Sequence, residues 1–184
     1  TYVIEWGTAQ VGNYKVTQEN LGKLVVTEST QEIVVTTTGG KFTYDGQAHG
    51  ATVEVTNLPE GYTVETAKSN ATAKDVTEEA VKATADTLVI KNAAGKDVTG
   101  KLNIKKVDGT LEITPAPLTV TTAGDSKVYD GKPLTNKDGS IAGLVKGETA
   151  TLKTTGSQTE VGHSGNTYVI EWGTAQVGNY KVTQ

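Results

Sequence analysis

Apolar residues fall on alternate positions along much of the chain. Tyr168, Ile170 and Trp172 alternate with Val169 and Glu171, and Val53 and Val55 alternate with Thr52, Glu54 and Thr56. Leu88 and Ile90, Leu102 and Ile104, Leu111 and Ile113, and Leu118 and Val120 keep the same period of two. Successive side chains of a strand point to opposite faces, so the pattern predicts strands with one face in a core and one in water. Gly39-Gly40, Asp45-Gly46, Pro59-Glu60-Gly61, Asp108-Gly109 and Asp138-Gly139 separate the runs as turns. Only Thr77–Asp86 has the spacing of a short helix. The equivalent stretch Thr159–Asn166 holds Gly162 and Gly165, so both are read as loops.

Repetition sets the organisation. Residues 1–18 recur unchanged at 167–184. A weaker repeat lies inside that long period. Ile33-Val34-Val35-Thr36-Thr37 matches Leu118-Thr119-Val120-Thr121-Thr122, and each run leads to Tyr-Asp-Gly, at 44–46 and 129–131. Thr87-Leu88-Val89-Ile90 matches Thr167-Tyr168-Val169-Ile170, and Gly109–Thr114 matches Gly22–Thr27. The expected domains are 1–30, the C-terminal part of a B-type repeat; 31–115, an A-type repeat; and 116–184, a B-type repeat lacking its last strand. The A-to-B connector Thr114-Pro115-Ala116-Pro117 should be short and extended, because two prolines fix φ and remove two donors. The other connector, Glu28–Gln31, has no proline and should bend more easily. Residues 1–18 and 167–184 should compete for one slot. The end of one molecule is expected to complement the start of the next, head to tail. The chain has no methionine and is expected to be internal to a longer protein, with any signal or anchor outside it.

Composition narrows the function classes. About one residue in six is threonine, which with valine favours strands. Hydrophobic residues make up 35% and aromatics 5%, which suits small cores. All 17 cationic side chains are lysines, with no arginine to read base edges or fork onto phosphate. With a net charge of −4 this argues against nucleic acid. No cysteine is present, so disulfides and thiolate chemistry are excluded. No apolar run approaches the roughly 18 residues of a membrane helix, so no membrane insertion is expected in this stretch.

Few residues invite a chemical reading. His49 and His163 are bases with pKa near neutrality, but both sit beside glycines and are read as solvated loop residues. Each Tyr-Asp-Gly is read as a turn, since no spaced carboxylates follow to complete a calcium loop. Trp6 and Trp172 occupy one repeat position; Trp172, with Tyr168 or Tyr180, would stack on a sugar only if that face were exposed, and the alternation favours packing. An internal lysine–asparagine or lysine–aspartate amide bond would draw on Lys41 or Lys127 and, for the asparagine form, on Asn103 or Asn179. No catalytic residue, metal or cofactor is expected.

Tyr-Asp-Gly near the start, Gly178-Asn179-Tyr180 near the end and Gly-x-Leu-x-Val/Ile-Thr at the close resemble MBG-type repeat domains of bacterial cell-surface proteins. The second repeat carries more of that pattern, with YDGKPL, GLVKGETA and GNYKVTQ. The first lacks the Gly-Asn-Tyr. The resemblance implies an extracellular stalk or adhesin repeat of Gram-positive or gut bacteria and carries over no ligand residue. The expected fold is all-β, with two small Ig-like β-sandwiches in tandem after an N-terminal partial domain; a β-grasp-like fold with one helix is the alternative. The expected role is a non-catalytic spacer whose partners are neighbouring repeats. The alternative is a repeat that itself binds host glycan or mucin weakly and gains avidity from repetition.

Overall fold

The computed structural model describes residues 3–17, 20–27 and 29–183. The described chain is all-β. Ten strands precede Pro115: β1 (Glu32–Thr38), β2 (Gly40–Thr43), β3 (His49–Gly50), β4 (Thr52–Thr56), β5 (Thr63–Lys68), β6 (Thr72–Ala73), β7 (Val81–Ala83), β8 (Thr87–Lys91), β9 (Asn103–Val107) and β10 (Gly109–Thr114). Five follow: β11 (Ala116–Thr122), β12 (Gly139–Ala142), β13 (Ala150–Thr154), β14 (Tyr168–Trp172) and β15 (Tyr180–Thr183). Helix among the described residues is limited to 3-10 turns at Val11–Asn13, Thr99–Lys101 and Val177–Asn179. Thr77–Asp86 is not wholly loop. Val81–Ala83 forms β7 against β10, a strand too short to announce itself by alternation.

Strand pairings among the described residues lie within 32–114 or within 116–183, and the two sets correspond. β1 lies between β4, antiparallel with Val35 beside Val55, and β9, parallel with Ile33 beside Ile104. β11 lies likewise between β12, with Val120 beside Ile141, and β15, with Leu118 beside Val182. The antiparallel β5–β8 pair is matched by β13–β14. The short β3–β6 pair, His49 beside Ala73, is matched by a single bridge between Leu134 and Gln158. One layer has no match. β10 runs between β2 and β7 in the first half, while residues 124–130 and 159–167 form no strand in the second.

The alternation sets the core. Ile33, Val35 and Thr37 on β1, Leu111 and Ile113 on β10, and Ala116, Leu118 and Val120 on β11 are buried, with their neighbours facing outward. At Gly39 and Gly109 the parallel pair β1–β9 hands over to β2–β10. A Cβ on Gly39 would strike the Thr110 carbonyl, and one on Gly109 the Thr37 carbonyl, so only glycine lets the two chains pass this closely. The connector at Pro115 is extended as expected and shorter than expected: β10 ends at Thr114 and β11 starts at Ala116.

Residues 3–17 carry the same letters as 169–183 and fold differently. They form no strand and are exposed apart from the half-buried Trp6. What survives is local. Asn13 N–H reaches Gln10 O at 3.0 Å, as Asn179 N–H reaches Gln176 O at 3.0 Å. The Trp6 and Tyr14 rings lie 5.9 Å apart, as do those of Trp172 and Tyr180. A 3-10 turn closes on its own neighbours, whereas a strand needs a partner elsewhere. In the Glu28–Gln31 connector, Glu28 lies outside the described residues, and Gln31 Nε2 donates to Asn57 O at 2.8 Å.

Candidate functional site

A polar cluster forms where the halves meet, and the motif residues build it. After β2, Asp45 Oδ1 accepts from Gln47 N–H at 2.8 Å, and Gly46 takes φ +76°. This turn fixes Tyr44, whose N–H also donates to Thr114 O at 2.8 Å. On the other side, the turn from Val145 to Glu148, closed by Glu148 N–H on Val145 O at 3.0 Å with Gly147 at φ +91°, presents the Glu148 carboxylate. The Val177–Asn179 turn delivers Asn179 and sets Tyr180 at the start of β15, beside Ala116.

Glu148 ties these pieces together. The Tyr44 hydroxyl donates to Glu148 Oε1, and the Tyr180 hydroxyl donates to Oε2 at 2.6 Å. Val145 N–H donates to the Tyr180 oxygen at 3.0 Å. The two tyrosine rings meet edge to face at 5.6 Å, and Trp172 stacks on Tyr180 at 5.9 Å. Asn179 reaches across with both ends of its amide. Its Oδ1 accepts from Val76 N–H at 2.9 Å, and its Nδ2 donates to Asp75 Oδ1 at 2.8 Å. Among the described residues, then, three side-chain hydrogen bonds join 32–114 to 116–183. Tyr44, Ile113, Ala116, Leu118, Ala175 and Tyr180 form one apolar cluster around them. Gly46 belongs to the fit, since a Cβ there would lie 2.9 Å from Val145 Cγ1.

Electrostatics reinforce the geometry. The hydrogen bond to Glu148, then burial, then the carboxylate's charge push the Tyr44 phenol up to about 12. Burial first, and its own bond to Glu148 second, raise the Tyr180 phenol. Both rings therefore stay protonated as donors, and both carboxylate oxygens are occupied. The arrangement holds two segments in register.

The other expected residues lie elsewhere or serve this junction. Tyr180 is 7% exposed and sits between Tyr44 and Trp172, so its ring is no open platform for a sugar. The four residues considered for an amide bond are engaged separately. Lys41 Nζ pairs with Glu112 at 2.8 Å on an exposed face. Asn103 lies beside Glu32 at the far end of β1. Lys127 Nζ pairs with Asp130 at 2.7 Å, and Asn179 is buried in the junction. His163 is exposed, but His49 is not the solvated loop residue expected from its glycine neighbour. It opens β3, stacks on Phe42 at 4.1 Å and bonds Asp45 Oδ1 at 3.1 Å, contacts made by residues four and seven positions earlier. Among the described residues, no group of three His, Asp or Glu side chains is placed to hold a metal ion, and no helix is long and apolar enough to cross a membrane.

Sequence reasoning passed over Glu148 and Asp75. The available signal was the Gly147-Glu148 turn phrase inside GLVKGETA, but nothing local says what a turn carboxylate will meet. Comparison of the chain with family models, characterised proteins and solved structures gives no significant match.

Proposed function

We propose that this chain is a non-catalytic spacer repeat of a bacterial cell-surface, adhesin-like protein, built of two small Ig-like β-sandwich units of MBG type in tandem. The observation that carries the reading is the junction. A spacer must hold consecutive units at a fixed angle, and here the tripeptides that mark the repeats serve that end. Tyr44 of Tyr-Asp-Gly and Asn179-Tyr180 of Gly-Asn-Tyr converge on Glu148 and Asp75 across a single proline. The recurrence of the same strand pairings on both sides of Pro115 supports two units, and the handover between layers at Gly39 and Gly109 supports a sandwich, in which strands change sheet at such kinks. Glycan binding through Trp172 and Tyr180 would require those rings at the surface, so the spacer reading is preferred.

Residual dipolar couplings on the whole chain test the stiffness. One alignment tensor should fit both halves, and Glu148→Ala should split it in two. The same variant leaves two phenol donors without their acceptor and should lower stability by about 2–3 kcal/mol. Two independent tensors in the unchanged chain would remove the basis for a stiff spacer. For location, an antibody against the chain should label intact cells of the source bacterium; label only after lysis would overturn the surface assignment.

A further inference from the structure

The second half meets the first through two turns, and the first half contains both of them. Glu148 N–H closes one on Val145 O at 3.0 Å with Gly147 at φ +91°; Tyr62 N–H closes its counterpart on Pro59 O at 3.1 Å with Gly61 at φ +76°. These turns precede β13 and β5, the first strands of the matched antiparallel pairs. Before β15, Asn179 N–H reaches Gln176 O at 3.0 Å in a 3-10 turn; before β9, Lys101 N–H reaches Val98 O at 2.8 Å in another. Ile33 beside Ile104 and Leu118 beside Val182 put the two 3-10 turns in the same register. Pro59, Tyr62, Lys101 and Leu102 therefore stand in the first half where Val145, Glu148, Asn179 and Tyr180 stand in the second.

The backbone of the turns is shared, but the bonding chemistry of the joint is absent from the first set as a whole. Glu148 accepts from the Tyr44 and Tyr180 hydroxyls with separate carboxylate oxygens, whereas Tyr62 offers one neutral phenol oxygen. Val145 N–H donates to the Tyr180 oxygen at 3.0 Å; Pro59 has no N–H to give, and Leu102 has no oxygen to receive one. Asn179 is 3% exposed and uses both ends of its amide, accepting from Val76 N–H and donating to Asp75. A lysine there has three donors and no acceptor, so Val76 N–H would be left without a partner and the ammonium would lose its water. Its attraction to Asp75 would not offset this, because Asp75 is exposed and such pairs contribute little.

We infer that the joint face of the first half, formed by Tyr44, Gly46, Asp75 and Val76, is selective: it takes a unit of the second type and refuses one of its own type. Glu148 and Asn179 set the choice, and Tyr62 and Lys101 are the residues that make a unit of the first type the wrong neighbour. This rests on the reading of the halves as units of a tandem array. Two units with the same fold present the same two turns, so backbone shape alone cannot order them. The side chains can, by satisfying every donor at the correct joint and leaving Tyr44, Tyr180 and Val76 short of acceptors at the wrong one. The stiff joint is thereby reserved for the order first type, then second type.

Giving the second half the first half's residues in the full chain tests this. Glu148→Tyr with Asn179→Lys should split the single alignment tensor into two and speed exchange of the Val76 amide at least about 10-fold, as expected when an amide loses its acceptor. The opposite exchange, Tyr62→Glu with Lys101→Asn, makes the same swap of residue types away from the joint and should leave both the tensor and Val76 unchanged. Amide protection along β1–β9 and β11–β15 reports that each half stays folded. Should the double variant unfold the second half, Asn179→Lys alone is read by Val76 exchange. One tensor with a protected Val76 in E148Y/N179K overturns the selectivity and leaves a stiff spacer standing. Loosening of the joint by Y62E/K101N to the same extent also overturns it. Two tensors in the unchanged chain would remove the spacer reading and the selective joint together.

Discussion

Tyr44 shows how much one hydroxyl does at the junction. Its phenol ionises in the unfolded chain near pH 10 and in the folded chain at about 12. The raised value means the bond to Glu148 contributes fully below pH about 10 and is lost as pH rises towards 12, because the unfolded chain releases its proton first. Chemical denaturation across that range should show falling stability, and Tyr44→Phe should be less stable at neutral pH yet flatter in alkali. Equal alkaline slopes for the two proteins would mean the phenol is not held as described. The residue scale is also where the sequence was most legible. Asp130 Oδ1 accepts from Lys132 N–H at 3.0 Å with Gly131 at φ +74°, the same turn as at Asp45, because both bonds close within two residues. Glu148 was illegible for the opposite reason. It stands 104 positions from Tyr44, and no local pattern encodes that distance.

At the scale of elements, period-two alternation located most strands and their buried faces, since it records which side of a strand meets a core. It did not record whether a partner exists. Residues 3–17 and 169–183 share every letter, and only the second set is paired. Gly22–Thr27 and β10 make the same point and allow it to be measured. Leu111→Ala removes a fully buried side chain and should cost about 2–5 kcal/mol. Leu24→Ala, at a position 99% exposed, should change the stability of the chain by less than about 0.5 kcal/mol. Thermal melts at low concentration decide it, and a comparable loss in both variants would show that Leu24 is packed after all.

At the scale of the whole molecule, the repeats and the proline connector could be read from sequence, while the fit between the halves could not, because it joins Asp75, Glu148 and Asn179 from three separate turns. The parallel pairing of the first and last strands in each half has a mechanical meaning. A load entering at Glu32 and leaving at Thr114 pulls β1 and β2 lengthwise past β9 and β10, so their bonds are sheared together and not unzipped in turn. Among the described residues the second half has one such parallel ladder, β11–β15, where the first has two in series. Stretched between its ends, the single chain should therefore yield in two steps, the second half giving way at the lower force and the first at the higher.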